Sequence, residues 1–210
     1  MLRTLPLCLL LLLAACAGDG PSPTAEPSPA PSPPPTDPVP ADVRQVADQV
    51  MADLAEKDFK QLARHVHPQQ GVTFSPYGYV EPDQHVTLMP EELEPAWESD
   101  EVRTWGHQDG SGFPIESTFR EYYGDWIYPK PFAEAPEVAV DERLGHGNSL
   151  NNIAEVWPGA SFVEYHFPGT DPRYGGMDWE SLRLVFLRAD GGSGEERWWL
   201  VGVVHDEWTI

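Results

Sequence analysis

Proline and the aromatic residues divide this chain before any periodicity is read. Ten of the 23 prolines fall between Pro21 and Pro40, whereas none of the 8 Trp, 7 Tyr and 8 Phe precedes Phe59. A packed core draws much of its area from large apolar side chains. A segment rich in Pro, Ser and Ala with no apolar period cannot supply one and favours extended polyproline II. The expected organisation is therefore a leader at 1–15, a tether at 16–40 and one globular domain at 41–210. A domain of that length suits a single sizeable core. The 34 acids outnumber the 13 Lys and Arg, for a formal charge of −21. Such a surface repels phosphate backbones and anionic headgroups, which argues against nucleic acid and polybasic membrane docking as partners.

The leader has one cation, Arg3, then an apolar run from Leu7 to Ala15. That run is about half the roughly 20 residues a bilayer span requires, and it reads as a signal-peptide core. It ends in Leu13-Ala14-Ala15-Cys16, which resembles the bacterial lipobox. The resemblance implies that Cys16 becomes the first mature residue and carries thioether-linked diacylglycerol plus an acyl chain of the palmitate kind. Two or more chains anchor stably, so the expected location is the bacterial cell envelope, on the outer face of the cytoplasmic membrane or on the outer membrane, with the membrane itself as partner. An ordinary cleaved signal that leaves Cys16 as a free thiol is the competing reading. Cys8 leaves with the leader in either case, so no internal disulfide is expected. At ~3.1 Å per residue, the fully extended tether spans at most roughly 70 Å from the lipid surface.

Beyond the tether, Asp42-Val43-Arg44-Gln45 has the form of a capping box. Val43, Val46, Ala47, Val50, Met51, Leu54 and Ala55 then mark one helix face. Asp58-Phe59-Lys60-Gln61 restarts the pattern, which predicts a second helix running through Val66 to Pro68. A short helix is expected from Pro90, and another from the capping box Thr118-Phe119-Arg120-Glu121. Glu134 to Pro158 loses all pattern and reads as loop. Ser161 to Phe167, Leu182 to Arg188 and Trp198 to His205 read as strands, the last two joined by a Gly-rich hairpin. Helices first and strands last predict an α+β fold, with N-terminal helices packed on a curved antiparallel, cone-like sheet.

This order resembles the nuclear-transport-factor-like superfamily, which includes ketosteroid-isomerase-like enzymes and secreted binding domains. The resemblance rests on the helical pair that bends at Asp58 and on the closing strand pair. Four phrases are also similar to those of a bacterial extracytoplasmic family with no assigned role. They are His67-Pro68-x-x-Gly71-Val72-x-Phe74-Ser75-Pro76-Tyr77, Trp105-Gly106-x-x-Asp109-Gly110-Ser111-Gly112, Met177-Asp178-Trp179-x-Ser181-Leu182-Arg183-Leu184 and His205-Asp206-Glu207-Trp208-Thr209-Ile210.

Several residues are chemically suggestive. His65-Val66-His67 would splay its rings by about 200° on a helix, so they fit a helix C-terminus better than a chelate. Asp109-Gly110-Ser111-Gly112, and Asp171 and Asp178 around Gly175-Gly176, offer oxygens to calcium but lack the EF-hand spacing, and turn glycines explain them as well. His205 and His166 lie on strands with acids nearby. Strict alternation groups His205 with Trp199, Val201 and Val203, and Glu164 on the His166 face supplies a carboxylate for a general base. Hydrogen bonding to loops at the sheet's end accounts for the same residues. Trp199 is a candidate pocket wall, and Arg183 a partner for a buried carboxylate or a ligand's acid group. No Gly-x-Ser-x-Gly, His-Glu-x-x-His, P-loop or dinucleotide fingerprint occurs, so no metal or cofactor is assigned. The functional expectation is a non-catalytic domain that binds a small ligand or an envelope protein. The alternatives are a small hydrolase, isomerase or lyase with a His–carboxylate pair, and a structural envelope protein.

Overall fold

The computed structural model describes residues 41–192, 194 and 196–209. The expected signal peptide, Cys16 and tether lie outside the described residues, as do the side chains of Ala41 and Asp42. The expected Asp42 cap therefore lies outside them as well.

Helix α1, Ala41–Glu56, buries Val43, Ala47, Val50, Met51 and Leu54. This is the face that the three- and four-residue spacing marked. It ends where Lys57 takes a left-handed φ of 58°, the Lys57 amide bonds to Leu54 O and the Asp58 amide to Asp53 O. That pair of bonds is a Schellman motif. Asp58 then caps α2, Phe59–Leu62, by accepting from the Gln61 amide. The second helix is shorter than its apolar pattern predicts. After Leu62 the backbone turns, and Val66 bridges Leu200 of the last strand. Forming sheet bonds there satisfies more backbone groups than another helical turn just before Pro68 would.

The main sheet has six strands: β1 Val72–Ser75, β2 Val86–Leu88, β5 Glu137–Val140, β6 Ser161–Phe167, β7 Glu180–Ala189 and β8 Arg197–Glu207. Their spatial order is β2-β1-β8-β7-β6-β5. The molecule is α+β, but the sheet is mixed, since β1 runs parallel to β8 while the other pairs are antiparallel. Edge strand β5 falls inside the stretch expected to be loop. Its burial is only intermediate or exposed, so it carries no clean alternation. Helix α3, Pro90–Glu98, starts with Pro at its first turn and continues past Pro95. A separate hairpin, β3 Arg103–His107 and β4 Pro114–Ser117, flanks the Asp109–Gly112 turn, where Gly110 and Gly112 hold φ of 74° and 68°.

Two apolar layers sandwich the sheet. On one face, Val163, Tyr165, Leu182, Leu184, Phe186, Leu200 and Val203 pack with α1 and α2. Helix α4, Phe119–Tyr122, packs there too, opened by the expected Thr118–Glu121 capping box. Trp105 stacks on Tyr122 at 4.2 Å and joins β3 to this layer. On the other face, Val185, Val201 and Val204 meet Val80, Ile153 and Trp157. Ile153 belongs to the short helix α5, Ile153–Val156.

Candidate functional site

Alternation along β6 and β7 sends Glu164, His166, Ser181 and Arg183 to the second face, away from the helices. Glu164 and Arg183 are direct cross-strand partners. Nε of Arg183 donates to Oε2 of Glu164 at 2.8 Å, and Nη2 donates to Oδ2 of Asp206 at 2.7 Å. All three side chains are fully buried. The loop between β5 and α5 closes over them. The amides of Gly145 and Leu144 donate to Glu164, Ser149 Oγ donates to Asp206, and Arg143 Nη2 reaches Asp206 at 3.5 Å. Two carboxylates and two guanidiniums thus balance beneath the loop, which is the condition under which buried charge is tolerated. Burial alone would push the Glu164 carboxyl up. The Arg183 charge, with hydrogen bonds from Arg183, Ser181 and Gly145, holds it below the usual carboxylate range.

His166 and Ser181 sit in the same network, with Nδ1 and Oγ 2.8 Å apart. The geometry is not that of a nucleophile and its base. Ser181 Oγ commits its hydrogen to Glu164 at 2.6 Å, so the His166 N–H must donate to Oγ. In a catalytic pair the proton runs the other way. Ser181 is also wholly buried, and burial lowers the His166 pKa and keeps the ring neutral near pH 7. Close packing enforces the closure, because a Cβ on Gly145 would stand 2.4 Å from the Trp179 ring and 2.7 Å from Ser181 Oγ.

His205 is elsewhere. The register shifts between Val185 and Phe186, where β8 passes from Gly202 to Leu200. That bulge inverts the side-chain phase. Trp198, Leu200, Val203 and His205 therefore face the helices, while Val201, Val204 and Asp206 face the loop. The expected grouping of His205 with Trp199 and Val201 fails for this reason, and Glu164 lies across the sheet from it. The acids near His205 are Glu180 and Glu207, at 3.8 and 3.9 Å from Nε2. The Trp126 ring meets the imidazole edge-on at 5.7 Å. Trp199 is buried, with the Arg197 guanidinium 3.6 Å above its ring and Nε1 donating to Ala189 O.

The turn acids and the paired histidines have local duties. Asp178 accepts from the amides of Thr170 and Asp171, and Asp171 pairs with Arg173. Nδ1 of His67 accepts from the Gln69 and Gln70 amides, whereas His65 reaches Asp53 at 3.4 Å.

A groove of about 460 Å³ opens where the aromatic turn after β1 meets the β3–β4 hairpin. Tyr77, Tyr79, His85, His107, Asp109 and Ser149 are among its walls. Tyr79 is 45% exposed. Tyr77 is held in place because its hydroxyl accepts from the Asp109 amide at 3.2 Å and its ring abuts Trp126 at 5.1 Å. Burial, then the neighbouring His107, pushes the His85 pKa down to about 4, so this ring is a neutral wall. Asp109 and Glu81 give the groove an acidic rim. Nothing local in the sequence ties the Ser75–Tyr79 turn to His85 or Ser149. Gly78 was the one signal available, since a Cβ there would stand 2.8 Å from the Asp206 carboxylate.

No protein-family model and no curated protein matches the sequence. A solved structure it resembles is described as a calcium/calmodulin dependent protein kinase II association domain from Xanthomonas campestris, with 16% identity. The alignment covers 82% of this chain and 90% of that one at a TM-score of 0.35.

Proposed function

We propose that this protein is a lipid-anchored, extracytoplasmic binding domain of a bacterial envelope, and that the Tyr77–Tyr79 groove holds its ligand. The observation that carries the reading is the contrast between the two polar sites. The catalytic candidates Glu164 and His166 are spent in a closed structural network, whereas the groove is open and presents the 45% exposed Tyr79 with the exposed His107 and Asp109. Aromatic faces with hydroxyl and carboxylate hydrogen-bonding groups suit a neutral or cationic polyhydroxylated molecule, with envelope glycans the first class to test. The acidic rim disfavours anions. The anchor rests on Leu13-Ala14-Ala15-Cys16 and the Pro-rich tether. No described helix is long and apolar enough to cross a membrane. The nuclear-transport-factor-like assignment rests on the helical pair bent at Asp58 and the closing β7–β8 pair.

Full-length protein extracted from membranes should show Cys16 carrying diacylglycerol by intact mass, and Cys16→Ser should move it to the soluble fraction. Tryptophan fluorescence titration should show saturable binding of N-acetylglucosamine oligomers or their deacetylated, cationic forms. Tyr79→Ala should weaken binding roughly tenfold, the share of a principal aromatic contact. Absence of binding to both probe classes sinks the glycan reading, and an unmodified Cys16 sinks the anchor.

A further inference from the structure

Glu180 and Glu207 stand directly opposite each other on the antiparallel β7–β8 pair, and His205, paired with Leu182, lies two residues before Glu207 on the same face. This register brings His205 Nε2, Glu180 Oε1 and Glu207 Oε2 together, all within 4.8 Å of one another. The imidazole separations of 3.8 and 3.9 Å are too long for hydrogen bonds. Nδ1 on the opposite side of the ring is buried without a partner. A side chain only 2% exposed has thus given up its hydration with no hydrogen bond to any described residue. Its Nε2 is aimed between two carboxylates. Lys130 Nζ holds the second oxygen of Glu180 at 2.8 Å and leaves Oε1 turned toward the histidine.

We propose that His205 Nε2, Glu180 Oε1 and Glu207 Oε2 are the protein ligands of one divalent transition-metal cation, zinc being the closest fit. Zinc bonds of ~2.0–2.2 Å place tetrahedral ligand atoms roughly 3.4 Å apart. The two imidazole–carboxylate separations exceed this by about half an ångström; a side-chain rotation of Glu207, 40% exposed, closes its own gap, and a comparable shift of Glu180 Oε1 closes the other. The imidazole favours zinc over calcium or magnesium, which take oxygen shells. Two carboxylates and a formal chain charge of −21 favour a cation over any anionic guest. Three protein ligands leave one position open, the arrangement of a reactive rather than a purely structural zinc. The site is distinct from the groove, with Tyr77 and Trp126 standing between them.

The test uses the full chain in detergent, stripped with chelator and titrated with zinc chloride by calorimetry and with cobalt(II) by visible absorption. One equivalent should bind, with the intense cobalt spectrum of a four-coordinate site. Glu207→Gln should weaken binding roughly tenfold or more with an unchanged circular dichroism spectrum. His205→Gln should abolish it. Because His205 is buried, the rim variant Glu207→Gln carries the test even if the histidine variant fails to fold. Three results overturn the proposal. These are no saturable zinc binding, binding equal in wild type and Glu207→Gln (which marks surface imidazoles such as His107 or His146), and binding of calcium in preference to zinc.

Discussion

Arg183 shows what one side chain can demand of its surroundings. A guanidinium with no exposed surface recruits Glu164 from β6 and Asp206 from β8, and those acids in turn recruit loop amides, Ser149 and Arg143. Removing one partner from such a set leaves uncompensated buried charge, which costs more than the pair itself contributes. Arg183→Ala should therefore destabilise the domain by about 3–5 kcal/mol in urea unfolding. A loss below ~1 kcal/mol would mean that the network is wetter than its burial implies. Arg183 was legible as anomalous in an apolar strand, whereas its partner Asp206 read as one more acid near the terminus.

At the scale of elements, the end of α1 carries a cost that pH should reveal. Burial, then the charges of Asp58 and Glu56, pushes the Asp53 carboxyl up to about 6 from 3.8, against the pull of Arg64. No basic residue occupies the last turn. The folded state therefore holds this proton more tightly than the unfolded chain does. The resulting stability is present below pH 3.8 and is lost as pH rises through about 6. Asp53→Asn should add about 1 kcal/mol near pH 8, discounted for solvent screening, and nothing near pH 3. Equal effects at both pH values would remove the assignment. The element ends were well marked where a side chain caps the backbone, as at Asp58 and Thr118. They were poorly marked where a tertiary partner decides, as in the early end of α2 at Leu62 and in β5, which is held by β6.

At the scale of the whole molecule, the packed domain at 41–210 holds 31 of the 34 acids against 12 Lys and Arg, a formal charge of −19. Compact like charge repels itself more than an expanded chain does. Raising sodium chloride from ~10 to ~150 mM, which shortens the Debye length from about 30 to 8 Å, should raise the thermal midpoint by a few degrees. A fall would show that exposed pairs such as Arg120–Asp100 outweigh the repulsion. The charge also shapes what the domain can hold. The groove rim and the Glu180–His205–Glu207 cluster are both acidic sites on an acidic surface, suited to neutral or cationic guests.

The amino-acid sequence alone determined the α+β class, the helical face of α1 and the alternation of β6, because each rests on local periodicity or composition. Only the tertiary structure decided which residues meet. A bulge in β8 inverted the phase on which the His205 grouping depended. The parallel docking of β1 on β8 brought the aromatic turn to the hairpin and opened the groove. Glu180, 25 residues before His205, reached it through strand register, and no spacing rule within one segment encodes register between two.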